Sequence, residues 1–288
     1  MHNVVSIQGK ASQQRKIEQS LFYNDWIAEY QSKIDFAIDF IKKTEKLALK
    51  MNEKGFYVAF SGGKDSIVLL DLVKKADVKF YAEYSLTTID NPELVYFIRE
   101  NFPEVKIKRP KQNFFQLVEE KKILPTRWIR YCCNEFKEIN GAGMTTLTGI
   151  RRFESKNRID RDLFYGRKNK TKHDYYDGVI EDVCMAKFGL NEKLQVNPII
   201  HLFDEEIWQY IFDNKLKYCN LYDKGHKRLG CLFCPLSTET NRKRDVKEYP
   251  KFAVKLYKTC AVVAENSNVE TDTQDSVFNS YIKYGIVK

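Results

Sequence analysis

The chain has 288 residues, 43% of them hydrophobic, 14% aromatic and 30% charged, which excludes a mini-domain or a disordered tail and predicts a packed core. Its formal net charge of +9 favours polyanionic partners such as nucleotides or nucleic acid. The opening stretch MHNVVSIQGKASQQRK lacks the apolar run of a secretory signal, and no segment reaches the ~18 apolar residues of a membrane span; a cytoplasmic protein with no membrane contact is expected.

Residues 14–50 place Trp26, Ile27, Ile34, Ile38 and Ile41 at helical spacing with no glycine or proline between them, which predicts a helical extension over 1–50. Short β-prone runs then alternate with helical stretches: FYVAF (56–60), KFYAEYS (79–85), VKIKR (105–109), TTLTGI (145–150) and QVNPII (195–200). That alternation predicts an α/β fold over about 51–240, a Rossmann-like parallel sheet with helices on both faces. From Phe153 to Leu190 the chain is long, polar and basic for an internal connection and reads as an insertion or lid. Arg151 to Lys172 alone holds nine Lys/Arg against three Asp/Glu, which suits a solvated loop or an anion-binding surface equally. From Arg242 onward RKRDVKEYPKFAVKLYK predicts a basic, amphipathic helical tail, 241–288.

The stretch YVAFSGGKDSIVLLDLV (57–73) sets two glycines, a lysine, an acid and two serines between a β-prone run and a helix dense in Ile, Val and Leu. A strand-to-helix junction of this kind offers unsatisfied amides and the positive end of the helix dipole, a seat for an anion. Gly62 and Gly63 admit close backbone approach, Ser61 and Ser66 donate hydroxyls and Lys64 adds a cation, so the loop suits a polyphosphate. Asp65 fits as a helix cap or as a ligand of the Mg²⁺ that accompanies a nucleotide triphosphate. The Walker spacing is absent.

SGGKDS resembles the PP-loop of the ATP pyrophosphatases, which cleave ATP between its α and β phosphates and grip the departing pyrophosphate. The resemblance implies ATP and Mg²⁺ as cofactors and assigns the grip to Ser61, Gly62, Gly63, Lys64, Asp65 and Ser66. Further likeness points to the phosphoadenosine phosphosulfate reductase branch and its adenine nucleotide alpha-hydrolase-like fold. TTIDNPE (87–93) is similar to the segment that approaches the adenosine there, which implies a nucleotide contact from Asp90. LTGIRRFESKNR (147–158) is similar to its basic phosphate-contacting motif, which implies Arg151, Arg152 and Arg158 on anionic oxygens. With NPII, EEIWQYI and LYDKGHKRLGCLFCP following in order, the resemblance runs from about residue 50 to 240.

In a reducing compartment seven cysteines do not predict a disulfide framework, and clustered pairs read as metal or redox sites. RYCCNEFK supplies Cys132 and Cys133, and RLGCLFCP supplies Cys231 and Cys234; together they could complete a four-sulfur shell, its charge offset by Arg130, Lys137, Lys227 and Arg228. This arrangement resembles the iron–sulfur members of the sulfonucleotide reductases, which implies a [4Fe–4S] cluster; zinc and unmetallated thiols are the alternatives. Cys184, Cys219 and Cys260 lack such spacing and read as structural.

Two enzymatic functions fit. A sulfonucleotide reductase attacks adenylyl sulfate, or its 3′-phosphorylated form, with a cysteine in an E-C-G motif near a flexible carboxyl terminus. This chain has no such motif, and its one cysteine beyond Cys234, Cys260, lies in apolar YKTCAVV. In the preferred scheme an acceptor oxygen, on a DNA phosphate or an RNA base, attacks the α-phosphate of ATP and pyrophosphate leaves. Sulfur from a cysteine desulfurase, or carried on the cluster, then displaces AMP. Lys64, the loop amides and Mg²⁺ stabilise the leaving pyrophosphate, and Arg151 or Arg152 the α-phosphate. This scheme resembles the ATP pyrophosphatase of DNA phosphorothioation systems and gives the basic insertion a nucleic-acid partner; oligomerisation is left open. A non-catalytic nucleic-acid-binding protein would not require SGGKDS.

Overall fold

The computed structural model describes residues 23–155, 158–159, 161–166, 193–267, 269 and 272–286, without the side chains of 23–27, 165 and 166. These residues divide into two compact units: the first takes the described parts of Met1–Tyr84, Glu93–Lys106 and Gly141–Leu229, the second those of Ser85–Pro92, Ile107–Asn140 and Gly230–Lys288. Among the described residues no helix is long and apolar enough to cross a membrane.

The first unit is built on a sheet of six strands: β1 Phe56–Phe60, β2 Phe80–Ser85, β3 Lys106–Lys108, β4 Thr145–Leu147, β5 Phe164–Gly166 and β6 Leu194–Val196. Their order is β3-β2-β1-β4-β6-β5, and at β3 the chain passes from the first unit into the second. β1 pairs in parallel with β2, Phe56 opposite Phe80 and Phe60 opposite Tyr84, and in parallel with β4; β4 pairs in parallel with β6. The sheet is thus α/β and Rossmann-like, as the alternation of runs predicts, with the order 3-2-1-4 running inward from the β3 edge. β5 departs from that expectation by pairing antiparallel to β6, Phe164 opposite Val196.

Alternate side chains of a strand point to opposite faces, and β1 buries Phe56, Tyr57, Val58 and Phe60, so both faces of the sheet are covered. Helix α1, Tyr23–Met51, buries Tyr30, Ile34, Ala37, Ile41, Thr44 and Ala48, a stripe at i, i+3 and i+4 spacing, and packs on β1, β4 and α2. Helix α2, Lys64–Ala76, is apolar nearly all round, with Ile67, Val68, Leu69, Leu70, Leu72 and Val73 all buried. Helix α3 spans Pro92–Asn101.

The second unit holds α4 Phe114–Lys121, the short α5 Tyr131–Cys133 running into a π-helical turn Asn134–Glu138, and, after α6 of the first unit (Asp204–Asp213), α7 Glu239–Glu248, α8 Pro250–Glu265 and α9 Gln274–Tyr284. One apolar core joins Phe114, Phe115, Leu117 and Val118 of α4 to Leu256, Cys260 and Val263 of α8 and Val277 and Tyr281 of α9. Asn113 caps α4 by a capping box, and Pro250, with no amide to leave unpaired, starts α8 afresh where α7 stops. The helical tail expected over 241–288 thus takes the form of three helices among the described residues. Of the insertion expected over about 153–190, residues 167 onward lie outside the described residues, as do 1–22 and Cys184.

Candidate nucleotide loop and cysteine cluster

In the first unit the SGGKDS turn joins the end of β1 to the start of α2. Ser66 organises it: its hydroxyl donates to the Gly63 carbonyl at 2.8 Å and accepts from the Ser61 amide at 3.2 Å, with the Ser61 hydroxyl 3.1 Å away. Gly62 has φ +71°, and a Cβ there would stand 2.6 Å from Ile98 Cδ1 and 2.7 Å from Leu94 Cδ1. Strain and clash coincide, so Gly62→Ala is expected to destabilise the protein by about 1–3 kcal/mol, read as a lowered denaturation midpoint. The first amide of α2, Lys64, donates to the Tyr222 hydroxyl at 2.9 Å.

Lys64 is only 5% exposed, and its ammonium lies 3.0 Å from Asp204 Oδ1 and 3.8 Å from Asp65 Oδ2. Arg151, 2% exposed, bridges the same two acids: Nε donates to Asp65 at 2.6 Å and Nη2 to Asp204 Oδ1 at 2.8 Å. Gly149 permits this approach, since a Cβ on it would sit 3.0 Å from the Asp65 backbone. Burial acts to raise the Asp204 carboxyl, but Lys64 and Arg151 outweigh it and hold the group below the usual aspartate value. Two cations and two carboxylates thus meet at the head of α2. The pair of carboxylates on one guanidinium also fits Mg²⁺, which uses one or two carboxylates together with substrate phosphates.

Extended backbone at Arg151 sends its neighbour the other way, and Arg152 donates to the Arg161 carbonyl at 2.8 Å and to Asp162 at 3.3 Å. Arg158 donates to Glu154, which also receives Arg228 at 2.6 Å. Burial first, then the charges of Arg228 and Arg161, push the Arg158 guanidinium down to about 10, the sign of a crowded positive field. Trp208 is buried on α6, its ring edge-to-face with Tyr218 and Tyr222.

In the second unit all four paired cysteines are free and half-buried. Cys231 lies 3.4 Å from both Lys137 Nζ and Thr87 Oγ1. The Cys231–Cys234 turn is pinned at its first three residues: Asp90 and Cys231 form a β-bridge, Leu232 donates to the Ile89 carbonyl at 2.8 Å, and Phe233, at φ +53°, donates to buried Asp245 at 2.9 Å. Asp90 itself accepts from the Thr87 amide at 2.7 Å. Arg242, buried on α7, donates to the carbonyls of Ile282 and Lys283 and ties that helix to the end of α9.

The four sulfurs feel one another. A bond from Cys132, helped by Arg130 and Lys137, draws Cys133 down to about 5 against the burial that opposes it, while Cys132 is pushed up by that same bond and by burial. Burial and the Cys231 charge raise Cys234, and the Cys231 charge holds the Lys137 ammonium above its ordinary value. Among the described residues no three His, Cys, Asp or Glu side chains converge on one point as a single ion would require. One tetrahedral ion needs every sulfur about 2.3 Å away.

Tyr222 and Asp204 contact the loop without any local sign of doing so: one lies in a polar turn, the other reads as an ordinary acid at a helix start. Thr87 opens the TTIDNPE segment, where nothing local points to its contact with Cys231.

Residues 55–237 match the family model described as the phosphoadenosine phosphosulfate reductase domain. The chain is 30% identical over 253 residues to an uncharacterized protein of Methanocaldococcus jannaschii, covering 81% of this chain and 46% of that protein, so it spans about half the length of that relative. It is 23% identical over 200 residues to the adenosine 5′-phosphosulfate reductase of Staphylococcus epidermidis, covering 66% of this chain and 74% of the relative. Among solved structures, the Candida glabrata FMN adenylyltransferase in complex with FAD and pyrophosphate aligns at 15% identity and a TM-score of 0.47, over 75% of this chain and 67% of that one. With more than half its length under the family model, the chain belongs to the phosphoadenosine phosphosulfate reductase domain family.

Proposed function

We propose that this chain is an ATP pyrophosphatase-type enzyme that adenylylates an acceptor oxygen for sulfur transfer, with the oxygen of a nucleic acid, as in DNA phosphorothioation, as the acceptor. The observation that carries this reading is the sharing of Asp204 Oδ1 by Lys64 and Arg151 at the head of α2, beside the SGGKDS turn. A triphosphate would compete with Asp204 for both cations. The acceptor oxygen bonds to the α-phosphorus, the α–β bridging bond breaks, and pyrophosphate departs with the electron pair. Lys64 and the Ser61 hydroxyl, turned away from Ser66, hold the developing charge on pyrophosphate, and Arg151 that on the α-phosphate. The terminal sulfur of a desulfurase-derived persulfide then bonds to the activated centre as the bond to the AMP oxygen breaks and AMP leaves, and a thiol reductant supplies the two electrons that split the remaining S–S bond.

Asp65 and Asp204 would hold Mg²⁺, which supplies neutralisation of phosphate charge. Cys132, Cys133, Cys231 and Cys234 would hold a [4Fe–4S] cluster, which supplies sulfur- or electron-handling chemistry. A cysteine desulfurase is the proposed sulfur donor.

The reductase relative supports a second reading, reduction of a sulfonucleotide. Against it, Cys260 is fully buried in α8 and burial pushes its thiol up to about 12, the reverse of an activated nucleophile. Anaerobic incubation with ATP or with adenylyl sulfate plus reductant separates the two. Pyrophosphate and AMP from ATP are expected; sulfite from adenylyl sulfate, without ATP turnover, would replace the first reading by the second.

A further inference from the structure

Trp128, in the second unit, is 79% exposed, the most of any large apolar side chain among the described residues. Its display is built. The Thr126 hydroxyl accepts from the amides of Trp128 and Ile129 at 3.3 and 3.0 Å, and the Thr126 amide donates to the Ile129 carbonyl at 3.0 Å, closing a tight turn with the indole outside it. Leu124 and Pro125 are buried before the turn, and α5 begins after it. Arg127 Nε donates to the Pro235 carbonyl at 3.1 Å, which fastens the turn to the residue after Cys234.

The chemistry around the ring is cationic. Residues 121–130, KKILPTRWIR, contain four Lys/Arg and no acid. Lys121 is paired with Glu120, and Arg130 faces Cys133 and Glu138, so Lys122 and Arg127 carry the least compensated charge. Proteins that hold single strands combine an aromatic platform for a base with cations for the backbone. A duplex keeps its base faces stacked and offers the indole nothing.

We propose that Trp128 is a stacking platform for an unpaired base of a single-stranded nucleic acid, with Arg127 and Lys122 meeting the neighbouring phosphates. The inference deepens the reading above, on which it rests: it names an unpaired strand as the substrate class and puts its contact on the turn fastened beside Cys234.

The test uses the full chain, purified anaerobically, and a fluorescent single strand of about 12 nucleotides, within the span such sites cover. Trp128→Ala is expected to weaken binding about 5–150-fold, the loss of one stacked base, while Trp128→Phe keeps most of the affinity. Arg127→Ala should lower the salt slope by about 1. Affinity unchanged in Trp128→Ala, or wild-type protein that prefers the duplex or binds no strand, overturns the platform; the last result would leave the patch to a protein partner. Wild-type pyrophosphate release from ATP, measured in parallel, keeps the two readings apart. Release without a Trp128 effect rejects the platform alone, and a Trp128 effect without release rejects the enzymatic reading alone.

Discussion

Lys64→Ala is expected to cut pyrophosphate release from labelled ATP by about 10²–10³-fold, the usual cost of removing one preorganised charge from a water-poor site. The ammonium is buried at the head of α2 and faces one carboxylate at 3.0 Å, the place a phosphate oxygen would take over. The fold should survive, because Asp204 keeps Arg151 at 2.8 Å as its counter-charge, and far-UV circular dichroism should match the parent. Lysine to arginine is not a neutral control here, since a planar fork does not replace a point charge in so tight a space. Turnover unchanged in the alanine variant would remove this loop from the chemistry.

Cys231→Ser is expected to remove bound iron. Anaerobically purified parent protein should carry about four irons with matching acid-labile sulfide per chain, and the serine variant little of either. Cys231 is the sensitive choice because both Lys137 and Thr87 approach its sulfur at 3.4 Å, which fixes the side chain from two sides. The aliphatic and aromatic core around it persists in the variant, so lost iron would report ligation rather than unfolding. Zinc without sulfide in the parent would overturn the cluster.

Much of the first unit was legible because its signals are local. FYVAF and the apolar run after SGGKDS announce a buried strand and a buried helix, and β1 and α2 occupy those residues. TTLTGI shortens to Thr145–Leu147 because the chain turns off at Gly149 to reach Asp65. β5 was illegible: three residues among charged ones carry no period, and only the exposed edge of β6 makes them a strand. Distance in sequence hid the rest of the site. The Tyr222 hydroxyl meets an amide 158 residues away, and Asp204 joins Lys64 only because α6 starts where α2 does. The tail's helices were readable from period, but not their core, because Phe114 and Leu256 become neighbours only in the folded chain.

The second unit's core draws on residues 85–92, 107–140 and 230–288 at once. On a ribosome, the Cys132–Cys133 pair therefore emerges long before its packing partners, and its surroundings stay unfinished until Tyr281 and Ile282 have cleared the exit tunnel. A nascent chain stalled before α8 would present the pair without the packing that α8 and α9 supply.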